Sequence, residues 1–104
     1  MATSSEPVKL NNHHRDTLLR IFQHPASHNI EWRDVESLIG AVGSIEEHRD
    51  GKYRVVIGSD VQFLERPKHK DIDLQQVVDL RRMLSAAGYA QLVEEIDREG
   101  TSNE

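Results

Sequence analysis

The tetrapeptide Pro67-Lys68-His69-Lys70 sets one imidazole between two ammonium groups. Chemistry at a phosphate ester needs a group to remove a proton and a group to supply one. Histidine titrates near neutrality and suits both roles, while flanking lysines draw the phosphate. His69 also stands shortly before a helix start, where backbone N–H groups favour an anion. His48 offers a second imidazole, because it ends what reads as a first strand and would lie across a hairpin from Lys52 or Tyr53. Tyr53 is a poor base at neutral pH, with a reference pKa of ~10, but its ring could stack on a base or its hydroxyl bond a phosphate. As a strand aromatic it reads equally as a ring packed in the sheet.

Arg66, Lys68, Lys70, Arg81 and Arg82, with Lys52 and Arg54 on a neighbouring strand, form the expected phosphate-contact set. Asp71, Asp73 and Asp79 interleave with these cations and could pair with several of them, so a solvated charged face is the competing reading. The remaining histidines do not suggest a metal. His24 and His28 are four apart, but Pro25 interrupts any helix between them and the chain has no cysteine. Neither a metal nor another cofactor is expected.

The distribution of charge supports the middle of the chain as the place to look. The 104 residues carry a net charge of −5, which argues mildly against a constitutive nucleic-acid binder. The balances of residues 1–48, 49–82 and 83–104 are −3, +2 and −4, so only the segment holding these cations is positive. Hydrophobic residues make up 37% and charged residues 30%, suiting one small domain with one modest core. No apolar run approaches the ~20 residues that span a bilayer. The N-terminus lacks the basic and apolar regions of a signal peptide and there is no cysteine, so a cytoplasmic protein is expected.

The elements that must hold these groups follow from hydrophobic period. Residues 1–11 read as a disordered leader. Leu18, Ile21 and Phe22 share one side of a helix over residues 12–24, which Pro25 stops. Ser27 or Asn29 would cap a second helix over 31–41, with Trp32, Val35, Leu38, Ile39 and Val42 as its buried stripe. Gly43 would close it in the left-handed conformation. The period then falls to 2, giving strands over 45–48, 52–57 and 61–66, with turns at Arg49-Asp50-Gly51 and Gly58-Ser59-Asp60. Asp73-Leu74-Gln75-Gln76 has the form of a capping box for a third helix with Val77, Leu80, Leu84 and Ala87 inward. Residues 90–104 form an acidic extension that could continue as a weak amphipathic helix. The fold class is α+β: a three-stranded antiparallel sheet with helices on one face.

From Trp32 to Tyr89 the chain resembles the HicA family, the toxin components of HicAB toxin-antitoxin pairs. The resemblance rests on the helix-to-glycine segment Val35 to Gly43, on Gly51-Lys52-Tyr53, on Pro67-Lys68-His69, and on Leu80-Arg81-Arg82-Met83-Leu84-Ser85-Ala86-Ala87-Gly88. It implies a fold like the double-stranded-RNA-binding domain over residues 12–89, the helix over 12–24 being additional to the minimal pattern. It also implies metal-independent mRNA interferase activity and a HicB-like antitoxin that covers the site. In the family the hairpin glycine is followed by Ser-His, and that histidine is catalytic; here Tyr53 stands at the corresponding position, so cleavage would have to rest on His69 or His48. The alternative from another class is a non-enzymatic interaction module that kept the fold and docks through the sheet edge or the apolar stripe of residues 89–97.

Overall fold

In the computed structural model, which describes residues 10–23 and 29–102, Asn11 opens the first helix by accepting a hydrogen bond from the His14 N–H at 2.8 Å. The elements run α1 (Asn12–Phe22), α2 (Trp32–Val42), β1 (Ser44–Glu47), a single 3-10 turn (Arg49–Gly51), β2 (Lys52–Ile57), β3 (Asp60–Glu65), α3 (Leu74–Ala86) and α4 (Tyr89–Ser102). The three strands form one antiparallel sheet in the order β1-β2-β3, which leaves β1 and β3 as its edges. In its register Arg54 faces Glu46 on one side and Phe63 on the other, and Lys52 faces Glu65.

Alternation along β2 divides the sheet into two unlike faces. Tyr53, Val55 and Ile57 point inward with Leu64 of β3, and the helices cover them. Trp32, Val35, Leu38 and Ile39 come from α2; Val77, Leu80, Met83 and Leu84 from α3; Leu18 and Ile21 from α1. Each such side chain, when fully buried, contributes about 1.5–3 kcal/mol. Lys52, Arg54 and Val56 point the other way, together with Val61 and Phe63 of β3, onto a face that no helix covers. The helices therefore sit on one side of the sheet, as the hydrophobic periods require.

Several local expectations need correction. Helix α2 is not capped by Asn29: Glu31 occupies the cap position without a side-chain bond, and the Trp32 N–H goes instead to the Lys70 carbonyl at 2.7 Å. Ser27, His24, Pro25 and His28 lie outside the described residues. Gly43 is not left-handed. Its φ of −166° is extended, and what demands glycine is the β2 backbone, since a Cβ there would collide with the Val56 carbonyl. Asp73 and Gln76 do form both bonds of the expected capping box.

Residues 1–9 of the expected leader lie outside the described residues, whereas Leu10 joins the core. The C-terminal extension is helix α4, which seats Tyr89 and Val93 in the core and keeps Glu94, Glu95 and Asp97 outward. Among the described residues, no helix is long and apolar enough to cross a membrane.

Candidate nucleic-acid interface

The chain from Arg66 to Ile72 is laced down at both ends. At its start the Arg66 N–H donates to the Gly51 carbonyl at 3.1 Å, which ties the loop to the hairpin turn between β1 and β2. At its end Glu31 and Asp71 form an isolated antiparallel bridge, with the Ile72 N–H on the Ile30 carbonyl at 2.9 Å. The bridge replaces a side-chain cap and holds the loop against the first turn of α2. Two buried polar atoms at this joint, Trp32 Nε1 and Asp71 Oδ1, have no hydrogen-bond partner among the described residues.

Between loop and helix lies an open groove of about 330 Å³, lined by Glu31, Trp32, Arg33 and Glu36 on one wall and by Arg66 to Lys70 on the other. Lys70 is paired, with Nζ 3.9 Å from a Glu31 carboxylate oxygen. Arg33, Arg66, Lys68 and His69 have no side-chain hydrogen bond or ion pair among the described residues. The N-terminal end of α2 adds its partial positive charge to the same wall. An anion entering this groove therefore meets cations that it need not detach from other partners.

A second groove of about 380 Å³ runs between β3 and the start of α3, and it shares Arg66, Pro67 and Lys68 with the first. Its two aspartates are engaged, whereas the Glu65 carboxylate has no partner among the described residues. Asp73 Oδ1 accepts from the Gln76 N–H at 2.8 Å, and Asp79 Oδ1 accepts from Gln75 Nε2 at 3.1 Å. Gln76 also donates to the Glu65 carbonyl at 2.6 Å, closing part of the β3 edge.

The sequence-predicted site residues divide among five places. Arg66, Lys68, His69 and Lys70 come together in the loop groove. Lys52, Arg54 and His48 lie on the bare side of the sheet, where the His48 ring stands perpendicular to Phe63 at 5.6 Å and Nε2 is 3.5 Å from Glu46. Arg82 lies 3.8 Å from Asp79 on the outer side of α3. Arg81 turns to α1, donating from Nε to the Ile21 carbonyl at 3.1 Å and from Nη2 to the Gln23 carbonyl at 3.3 Å, so its guanidinium is committed to the fold.

Tyr53 is on no surface. It is 5% exposed, because its place in the β2 alternation with Val55 and Ile57 sends it inward, and its ring meets Trp32 edge-on at 5.2 Å. A ring in that position can neither stack on a base nor reach a phosphate while the core is closed.

Sequence reasoning missed Arg33, whose role depends on the loop's long-range bridge to α2; only its nearness to a helix start could have pointed to it. It also missed the use of His13 and His14. His13 Nε2 lies 3.1 Å from Asp34 Oδ1 and His14 Nε2 lies 2.8 Å from Ser37 Oγ, which fastens α1 to α2.

Compared with family models, with curated proteins and with solved structures, the chain finds no match.

Proposed function

We propose that this protein binds RNA as a HicA-like mRNA-interferase-type protein, through the groove between residues 66–70 and the start of α2. One observation carries the reading: in a chain of net charge −5, Arg33, Arg66, Lys68 and His69 line a single groove and none of them has an ion-pair partner among the described residues. Four Lys and Arg residues in this lining outnumber its two acids, Glu31 and Glu36, and such an excess favours a polyanion. The resemblance to HicA in Pro67-Lys68-His69 and in the helix that follows supports the choice of RNA and of a HicB-like antitoxin as partner.

In the cleavage that this reading assigns, His69 takes the proton of a 2′-hydroxyl. The freed oxygen attacks the adjacent phosphorus, and the bond from phosphorus to the 5′-oxygen breaks as a 2′,3′-cyclic phosphate forms. Water protonates the departing 5′-oxygen, and Arg66 and Lys68 offset the charge that builds on the phosphoryl oxygens. No metal or cofactor enters this scheme, and the absence of cysteine suits a reducing cytoplasm.

Burial of Tyr53, at the position that holds the family's histidine, favours a second reading in which the same groove binds RNA without cutting it. The test of binding is the affinity of the purified protein for a structured RNA, compared with Lys68→Glu combined with Lys70→Glu. Loss of binding in the double variant is expected; full retention removes the groove as the site.

A further inference from the structure

Phe63 is 56% exposed and Val61 44% exposed on the bare side of the sheet. Beside Phe63 in the sheet register, Arg54 is half-buried, and its guanidinium has no partner among the described residues. The acid on Arg54's other side, Glu46, lies 3.5 Å from His48, and that same histidine crosses Phe63 at a right angle. Lys52 lies on this face as well, across from Glu65 but in no ion pair with it. An aromatic ring thus stands in water next to cations that have no ion-pair partner among the described residues.

The groove that Phe63 lines does not end there. It continues through Arg66, Pro67 and Lys68 into the groove of His69, and the aspartates along its α3 wall are held by Gln75 and Gln76. The two grooves share Arg66, Pro67 and Lys68, so a ligand in the loop groove that reaches Phe63 passes Arg66 and Lys68, with Glu65 as the acid beside them.

We infer that a single-stranded RNA segment leaves the His69 groove across Arg66 and Lys68 and stacks one of its bases on Phe63, with Arg54 on a neighbouring phosphate. This rests on the RNA-binding reading above and adds to it a preference for unpaired nucleotides. Aromatic side chains on a sheet face stack bases without regard to sequence, while cations follow the backbone. Bases inside a duplex are already stacked and paired, so Phe63 has nothing to offer them.

The test uses the full chain and two labelled RNAs, an unstructured oligoadenylate and a blunt-ended duplex, with affinities read by fluorescence anisotropy. Phe63→Ala is expected to weaken oligoadenylate binding about tenfold and to leave duplex binding within a factor of two. Phe63→Trp keeps a stacking surface and is expected to bind oligoadenylate at least as well as wild type. Arg54→Gln is expected to lower the salt dependence of oligoadenylate binding by about 0.7 in slope. Unchanged oligoadenylate affinity in Phe63→Ala, with wild type binding both RNAs, overturns this inference and leaves the loop groove standing. A wild-type dimer that Phe63→Ala dissolves also overturns it, in favour of self-association. Failure of wild type to bind either RNA overturns the groove itself.

Discussion

Arg81 on α3 closes the C-terminal end of α1, sixty residues earlier in the chain, through two hydrogen bonds to the carbonyls of Ile21 and Gln23. Those carbonyls lie where a helix leaves its last acceptors unpaired, and a charged donor there also meets the negative end of the helix dipole. A residue that charge alone would assign to a phosphate-binding surface thereby serves the first helix. Arg81→Ala is expected to lower unfolding free energy by about 1–2 kcal/mol in urea titration and to leave RNA affinity within a factor of two. A large loss of affinity at unchanged stability would return Arg81 to the interface.

Two glycines three residues apart should respond to alanine with opposite sign. A Cβ at Gly43 meets the Val56 carbonyl, so Gly43→Ala forces β2 away from the end of α2 and should cost about 2–3 kcal/mol. Gly40 is exposed within α2 and has open space around its missing Cβ. Gly40→Ala should therefore stabilise by about 0.5–1 kcal/mol. Chemical denaturation of the two variants in parallel checks both signs at once.

Tyr53 belongs to the core by packing. Tyr53→Phe keeps the edge-on contact with Trp32, so it should change stability by less than about 1 kcal/mol and leave RNA binding and any cleavage unaltered. Tyr53→Ala should cost about 3–5 kcal/mol. Loss of RNA function in a fully stable Tyr53→Phe protein would show that the hydroxyl reaches the substrate.

His69 and His48 are separable by the same logic. With chelator present, His69→Ala should abolish any cleavage of a single-stranded RNA by the purified protein. His48→Ala should leave cleavage in place, since His48 lines neither groove and is engaged with Glu46 and Phe63. The reverse outcome would move the chemistry to the bare side of the sheet.

What could be read from sequence follows the range of the interactions concerned. The capping box at Asp73 and Gln76 spans four residues, and the alternation in β2 spans six, so both are visible locally. That same alternation put Tyr53, Val55 and Ile57 on one face, and the structure adds that this face is the inner one. The cap of α2 is a carbonyl at Lys70, and the cap of α1 is a guanidinium at Arg81; neither is near in sequence to the helix it serves. Gly43 looked like a helix stop and is one, but for a reason that lies on another strand. In the cation set, the four consecutive residues Pro67 to Lys70 were legible as a locus, whereas Arg33 joins them only once the bridge between Glu31 and Asp71 has formed.

The central claim is that the unpaired cations of the loop groove hold the phosphates of RNA, and the salt dependence of affinity tests it most directly. Neutralising about three to four phosphates of a single strand predicts that log K falls with log salt at a slope of about −2 to −3. Arg33→Ala and Arg66→Ala should each reduce that slope by about 0.7. A wild-type slope near zero, or slopes that the two substitutions leave unchanged, would contradict the account.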